Sequence, residues 1–395
     1  MHSNSIQLLE RDKDTIFVSE ATDVVKMKHK KQFIIIISLI LLSLMAALNI
    51  ISWFSTDFSD WYAENIYPLL NNTVSRLTGL FPFSVGEMLI IIGISVLIVG
   101  PAAFIICMIV LRKRRRKVLR FTAVFLLVAF TYIFVTETLN CFIMYHCTPF
   151  SEKYMNVSEE HDYHQLIELC NMLIEKANYY SELVERDENG KVIAPDNLND
   201  IAVQAMINLS SDYQQLGGYY PHPKKIMFSG FMTQLNLKGV YYPFTLEANY
   251  NKRMYPVNFP ETICHEMSHL KGFMQEDEAN FISFLACINS DSNYFKYSGY
   301  IAALGYTYSQ IARLMKYEGY TDIQLLPINE LVINDDIFVE YEYLERLEKE
   351  AVIPTEVVSE VSEAAIDTSL KLNGVSDGSK SYGRMVDLLL SYYYN

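Results

Sequence analysis

The sequence predicts an N-terminal three-helix transmembrane region followed by a mainly α (α+β) domain with a small edge sheet. Three observations carry that reading. Three long apolar runs fall within the first 145 residues. The rest of the chain spaces its apolar residues at helical intervals, broken by one stretch of strand formers. Charge divides between the two parts: residues 1–150 hold 14 Lys+Arg and 10 Asp+Glu, residues 151–395 hold 18 and 36.

The apolar runs are 33–54, 88–111 and 121–144. Each is long enough to cross a bilayer, and Gly93, Gly100 and Pro101 in the second are residues that spanning helices tolerate. The first run is too long, and stands too far behind a polar segment, to be a cleavable signal. Lys26, Lys28, Lys30 and Lys31 precede it, and Arg112-Lys113-Arg114-Arg115-Arg116-Lys117 joins runs two and three. The loop between runs one and two holds Arg76 against Asp57, Asp60, Glu64 and Glu87. Positive charge stays inside, so residues 1–32 are expected in the cytoplasm, 33–145 in the membrane and 146–395 outside it. The acidic balance of the outer part excludes nucleic acid and anionic lipid as its partners and should hold it a little off a negative membrane, while the lipid bilayer is the expected partner of the apolar runs. Trp61, Tyr62, Tyr67, Phe81 and Phe83 in the first outer loop suit either the headgroup level or the underside of the outer domain.

That domain is long enough for one core. Helices are expected from Ser158 through Ala177, over Asn197–Leu216 before Gly217-Gly218, and over 294–317, 327–351, 354–367 and 382–394. Gly239 to Leu246 reads as one or two short strands, with Pro243 favouring an edge.

His265-Glu266-Met267-Ser268-His269 is the chemically decisive motif. One helical turn separates the histidines, so both imidazoles leave one face and can meet one metal ion, with Glu266 beside them. Pro260 suits the first helical turn, and Gly272 falls where the helix would end in a left-handed residue. A second helix opens at Glu276-Asp277-Glu278, and its acidic first turn suits the positive end of the dipole. A hydrolytic zinc site needs a third ligand and an open position, and these three carboxylates compete for the role. Two imidazoles and a carboxylate favour Zn²⁺, one per chain. His161 and His164 form an alternative i, i+3 metal pair. The cysteines lack metal spacing: Cys264 should face the core, and Cys141, Cys147, Cys170 and Cys287 leave room for a disulfide.

Glu276-x-x-Ala279-Asn280 resembles the third-ligand helix of the gluzincin metallopeptidases, which implies a zincin/gluzincin-like domain with His265, His269 and Glu276 as ligands and Glu278 as the alternative. Asn280 would accept a hydrogen bond from a ligating imidazole, although the family usually has Asp there, and the interval from His269 to Glu276 is short for a gluzincin. Gln275 stands where a metzincin would need His, which rejects that reading. In gluzincin-like folds an edge strand before this helix pairs with the substrate peptide, a rim to which Glu247, Ala248 and Asn249 would belong.

Wider motifs point to one family. Leu80-Phe81-Pro82-Phe83-Ser84-Val85-Gly86-Glu87, Tyr242-Pro243-Phe244-Thr245-x-Glu247-Ala248-Asn249, Cys264-His265-Glu266-x-x-His269, Glu276 to Phe281 and Ser381-Tyr382-Gly383 together resemble a bacterial domain-of-unknown-function family, number 3810. The expected activity is hydrolysis of peptide bonds at the outer face of the membrane, on peptide or protein substrates held near it. Glu266 would act as base on zinc-activated water. Tyr382 or Arg384 would supply the oxyanion donor, with Tyr300 and Tyr306 in competition. The alternative is a zinc-binding sensor or envelope assembly protein without catalysis; a metal-free structural membrane protein is the third class.

Overall fold

A computed structural model defines the fold over residues 30–155, 161–318, 323–375 and 384–394, and the structural statements below concern these described residues. Helix α1 (Lys30–Phe54) is followed by two short helices, α2 (Thr56–Asn65) and α3 (Tyr67–Thr78), then by α4 (Val85–Val110) and α5 (Arg112–Tyr145). Helices α1, α4 and α5 are long and apolar enough to cross a membrane. The basic run expected as a loop is instead the start of α5, where Arg112–Arg114 form a 3₁₀ turn and Arg115 begins the α-helix. Arg and Lys are good helix formers, and α4 ends one residue before α5 begins.

By contacts the chain forms two compact units. One takes the chain up to Ile50 with Gly93–Thr138; the other takes Ile51–Ile92 with Leu139–Asn395. Helices α2 and α3 therefore belong with the C-terminal part. The reason lies in their sequence: Tyr67, Asn71 and Ser75 recur every fourth residue and are buried together, whereas Leu69 and Leu77 face outward.

The larger unit continues with α6 (Phe150–Tyr154), α7 (Tyr163–Ser181) and α8 (Leu198–Asn208), then β1 (Lys224–Lys225), α9 (Ser229–Gln234), β2 (Gly239–Tyr242) and β3 (Glu247–Tyr250). It ends with α10 (Phe259–His269), α11 (Glu276–Ile288), α12 (Asn293–Arg313), α13 (Glu330–Asp335), α14 (Tyr341–Glu350), α15 (Thr355–Leu372) and α16 (Arg384–Tyr394). Helix α7 opens on a capping box, with Asp162 accepting from His164 N–H and Gln165 accepting from Asp162 N–H. Residues 158–160, where its start was expected, lie outside the described residues. Its buried face, Leu166, Leu169, Leu173 and Ala177, lies along α12, and α10 and α11 complete the core.

Three expectations need correction. The 197–216 segment is α8 followed by two 3₁₀ turns rather than one helix. The 327–351 segment is broken between α13 and α14 because Asp335 is buried and held by Arg186 at 2.7 Å, Tyr255 Oη at 2.8 Å and Tyr297 Oη at 2.7 Å. The third concerns the sheet, whose order is β1-β3-β2, with β3 parallel to β1 and antiparallel to β2. Glu247, Ala248 and Asn249 lie on the central strand and are fully buried, so they form no substrate rim. The edge strands are β1 and β2.

Candidate metal centre

Helix α10 begins at a proline-bearing first turn and carries His265 and His269 one turn apart. Their Nε2 atoms lie 3.1 Å apart. Both Nδ1 atoms face acceptors: that of His265 is 2.7 Å from Asn280 Oδ1, and that of His269 is 2.8 Å from the Phe273 carbonyl. A ring that donates from Nδ1 in its neutral form presents a bare lone pair at Nε2. Two such lone pairs facing each other are satisfied by a shared proton or by a bound cation between them.

Glu276, at the first turn of α11, completes the group. Its carboxylate oxygens lie 3.2 Å from His265 Nε2 and 3.8 Å from His269 Nε2. In a tetrahedral site with bonds of about 2.0–2.1 Å, neighbouring donor atoms stand roughly 3.3 Å apart. The spacings of 3.1 and 3.2 Å match that edge and the 3.8 Å spacing exceeds it by about 0.5 Å, so the donor types and two of the three spacings suit a zinc ion. Among the described residues these three converge as a metal-capable group.

The local chain explains the convergence. Gly272 adopts φ +90°, and the reversal returns Phe273 so that its carbonyl meets His269 while its N–H reaches Ser268 O. A Cβ at Gly272 would meet Met144 Sδ at 2.9 Å, so the position is confined as well as left-handed. Behind the turn, Asn71 Nδ2 donates to the Leu270 carbonyl at 2.6 Å and Tyr67 Oη donates to it at 3.2 Å. Tyr67 Oη also lies 3.3 Å from Tyr241 Oη, and the Tyr241 ring stands 6.0 Å from that of His269.

Glu266 is almost wholly buried beside β2. A Cβ on Gly239 would fall 2.4 Å from Glu266 Oε1, so only glycine lets the strand run this close. Burial opposes the Glu266 charge and pushes its carboxyl up to about 8, helped by Glu276 and Glu261 against the His265 charge. Burial likewise pushes His269 down to about 4. His265 is penalised by burial too, but the hydrogen bond and charge of Glu276, with Glu266 and Glu261, hold it up at about 9. Carboxylates thus outnumber cations here, an arrangement suited to a bound dication.

The other expected residues are placed elsewhere. Glu278 turns away from the histidines and accepts from Ser151 N–H at 3.2 Å. Asp277 pairs with Arg384 at 2.8 Å, so Arg384 is engaged away from the histidine pair; Tyr382 lies outside the described residues. Tyr300 stacks on Tyr180 and meets Phe284 edge-on. His161 bonds Ser391 Oγ at 3.0 Å, and the His164 ring lies tilted against that of Tyr163. All six cysteines are free thiols, and Cys264 faces the core beside Cys287. Sequence reasoning missed Gly239, the Phe273 carbonyl, and the Tyr67–Asn71 support. The i, i+4 spacing of Tyr67 and Asn71 was the available signal for the last.

Burial pushes the Glu278 carboxyl up to about 8, with Asp277 adding to the rise and the Ser151 and Phe150 backbone N–H groups opposing it. The folded state therefore holds a proton that the unfolded chain loses near pH 4.5, and stability falls as pH rises from there to about 8. Glu278→Gln keeps the acceptor and removes the charge. It should raise thermal stability at pH 8.5 by a few kcal/mol, with the gain shrinking toward zero at pH 4.5. Thermal unfolding across that range checks this; a gain independent of pH would be against it.

A family model described as Protein of unknown function (DUF3810) matches residues 62–390. No curated protein and no solved structure matches the chain.

Proposed function

We propose that this chain, which belongs to the DUF3810 family, is a membrane-anchored zinc-dependent metallopeptidase acting on peptide bonds at the outer face of the membrane. The observation that carries the reading is the pair of Nε2 atoms 3.1 Å apart, each ring held from its Nδ1 side, with Glu276 closing the third edge. His265, His269 and Glu276 would hold zinc. The ion would supply Lewis acidity, polarising the scissile carbonyl and acidifying the water that attacks it.

The chain's own residues supply the rest. Glu266 accepts the proton released in the attack and returns it to the leaving amine. Asn280 and the Phe273 carbonyl fix the imidazole tautomers, and Gly239 leaves the Glu266 carboxylate its place. The free side of β2 offers backbone groups to an extended peptide. Lys30, Lys31 and the basic start of α5 set the orientation, holding that side of the membrane in the cytoplasm and placing the site outside.

Metal analysis of the purified full-length chain tests the site. The wild type should carry about one zinc per chain, and Glu276→Gln should lose it or bind it at least tenfold more weakly. A folded wild-type protein that takes up no zinc when supplied would end the reading.

A further inference from the structure

The start of α4 is tied to the sheet on both sides. Glu247 accepts from the Val85 and Gly86 N–H groups at 3.1 and 2.7 Å. Glu87, itself buried, accepts from the Met227 and Phe228 N–H groups at 2.9 and 2.8 Å. The apolar run of α4 opens at the next residue, Met88. The Phe228 backbone therefore stands within roughly 10 Å of the point where α4 becomes apolar, one Glu side chain and one residue away.

Large apolar side chains surround that point and are left in the open. Met227, Phe228 and Phe231 are each more than half exposed, and Phe81 and Phe83, just before Val85, are nearly so. A patch of this kind on a water-facing domain calls for a partner, and its continuity with a membrane-crossing helix names one. We infer that these five residues form a rim that enters the bilayer surface and seats the domain on it.

Seating fixes the height of the candidate site. Strand β2 is pinned at both ends: Gly239 abuts Glu266, and Tyr242 lies so close to Gly86 that a Cβ there would overlap its ring. Three strand steps span about 10 Å, and the two helical residues from Gly86 to Met88 add about 3 Å. The far end of β2 also meets α5, where Asn140 Nδ2 donates to Pro243 O at 2.7 Å and Tyr241 Oη donates to Asn140 O at 3.0 Å. With about 4 Å added for the Gly239 contact and about 7 Å across the Tyr242 ring, Glu266 lies within roughly 25 Å of the start of the apolar run. Resting on the peptidase reading, the substrate class is a polypeptide anchored in the same bilayer, paired with β2 and cut within about eight residues of its own span.

The rim is tested on the full chain in nanodiscs, in a Trp53→Phe, Trp61→Phe background. Single tryptophans are placed by Phe81→Trp, Phe228→Trp, Phe231→Trp and, as control, Tyr317→Trp. The three rim tryptophans should be quenched at least twofold by brominated phospholipid and little by aqueous iodide, the control the reverse. Iodide quenching at the rim without lipid quenching overturns the proposal. Shielding from both that is lost at one chain per disc would assign the patch to a second copy and also overturn it. For the substrate class, one randomised tail is offered to the wild type free and fused to a model span. The anchored tail should be cut at least tenfold faster, near its span. Equal rates overturn the anchored-substrate class and leave the peptidase reading intact. Cleavage of neither tail removes both, while the quenching decides the rim independently of activity.

Discussion

Glu266→Gln should leave the zinc content of the full-length protein unchanged and lower peptide turnover by about 10²–10⁴-fold. The substitution is nearly isosteric and removes a charge that burial already disfavours, as the rise of the Glu266 carboxyl to about 8 shows, so folding is not penalised. The three metal-facing donors belong to other residues and stay in place. What the amide cannot do is accept a proton and return it. Gly239→Ala reaches the same end from the opposite side: its methyl group would sit 2.4 Å from Glu266 Oε1, and one of the two must move. Both variants should bind zinc at wild-type stoichiometry and fail on a fluorogenic peptide library that the wild type cuts. Zinc lost together with turnover would make Glu266 a structural member of the site. Turnover kept in Glu266→Gln would remove it from the base role and favour a sensor or assembly protein on the same scaffold.

The legible part of this chain was its local part. The three membrane-length helices follow from apolar runs, and the helices of the C-terminal part follow from spacing and caps. His265, His269 and Glu276 fall within a dozen residues, so one helical turn and one glycine reversal are enough to bring them together. The environment of that group was not legible, because it is assembled from distant segments. Asn71 reaches Leu270 across 199 residues, and the closeness of Gly239 to Glu266 depends on how the β2–β3 hairpin lies on α10. A short strand also carries no mark of its neighbours, so Glu247–Asn249 read as a rim when all three are buried and β1, two residues long, pairs with β3 at Asn249 and Tyr250. The first outer loop offered two readings, headgroup level or domain underside. Its buried Tyr67–Asn71–Ser75 face shows the second for α3, whereas Trp61, Phe81 and Phe83 stay exposed.

The correction at Glu247 carries the largest expected stability effect. Its carboxylate is 1% exposed and binds Lys224 Nζ at 2.5 Å, a cation that also donates to the Thr78 carbonyl at 2.7 Å. The same carboxylate receives the first two N–H groups of α4, where the helix dipole favours an anion. Glu247→Ala would leave a buried ammonium without its counter-charge and two helix-terminal donors without an acceptor. Breaking a buried pair from one side costs about 3–5 kcal/mol, a large part of the 5–15 kcal/mol that holds a typical domain. Glu247→Gln, which keeps an acceptor for α4, should fall between this variant and the wild type. Lys224→Met combined with Glu247→Leu should recover part of the loss, because an apolar pair removes both desolvation costs at once. A substrate-rim residue would behave in the opposite way, with KM raised and thermal stability untouched. Thermal unfolding of the four proteins in one detergent separates the two roles. An unfolding temperature for Glu247→Ala within a degree of wild type would refute the anchoring role, and with it the tie between α4 and the strand beside Glu266.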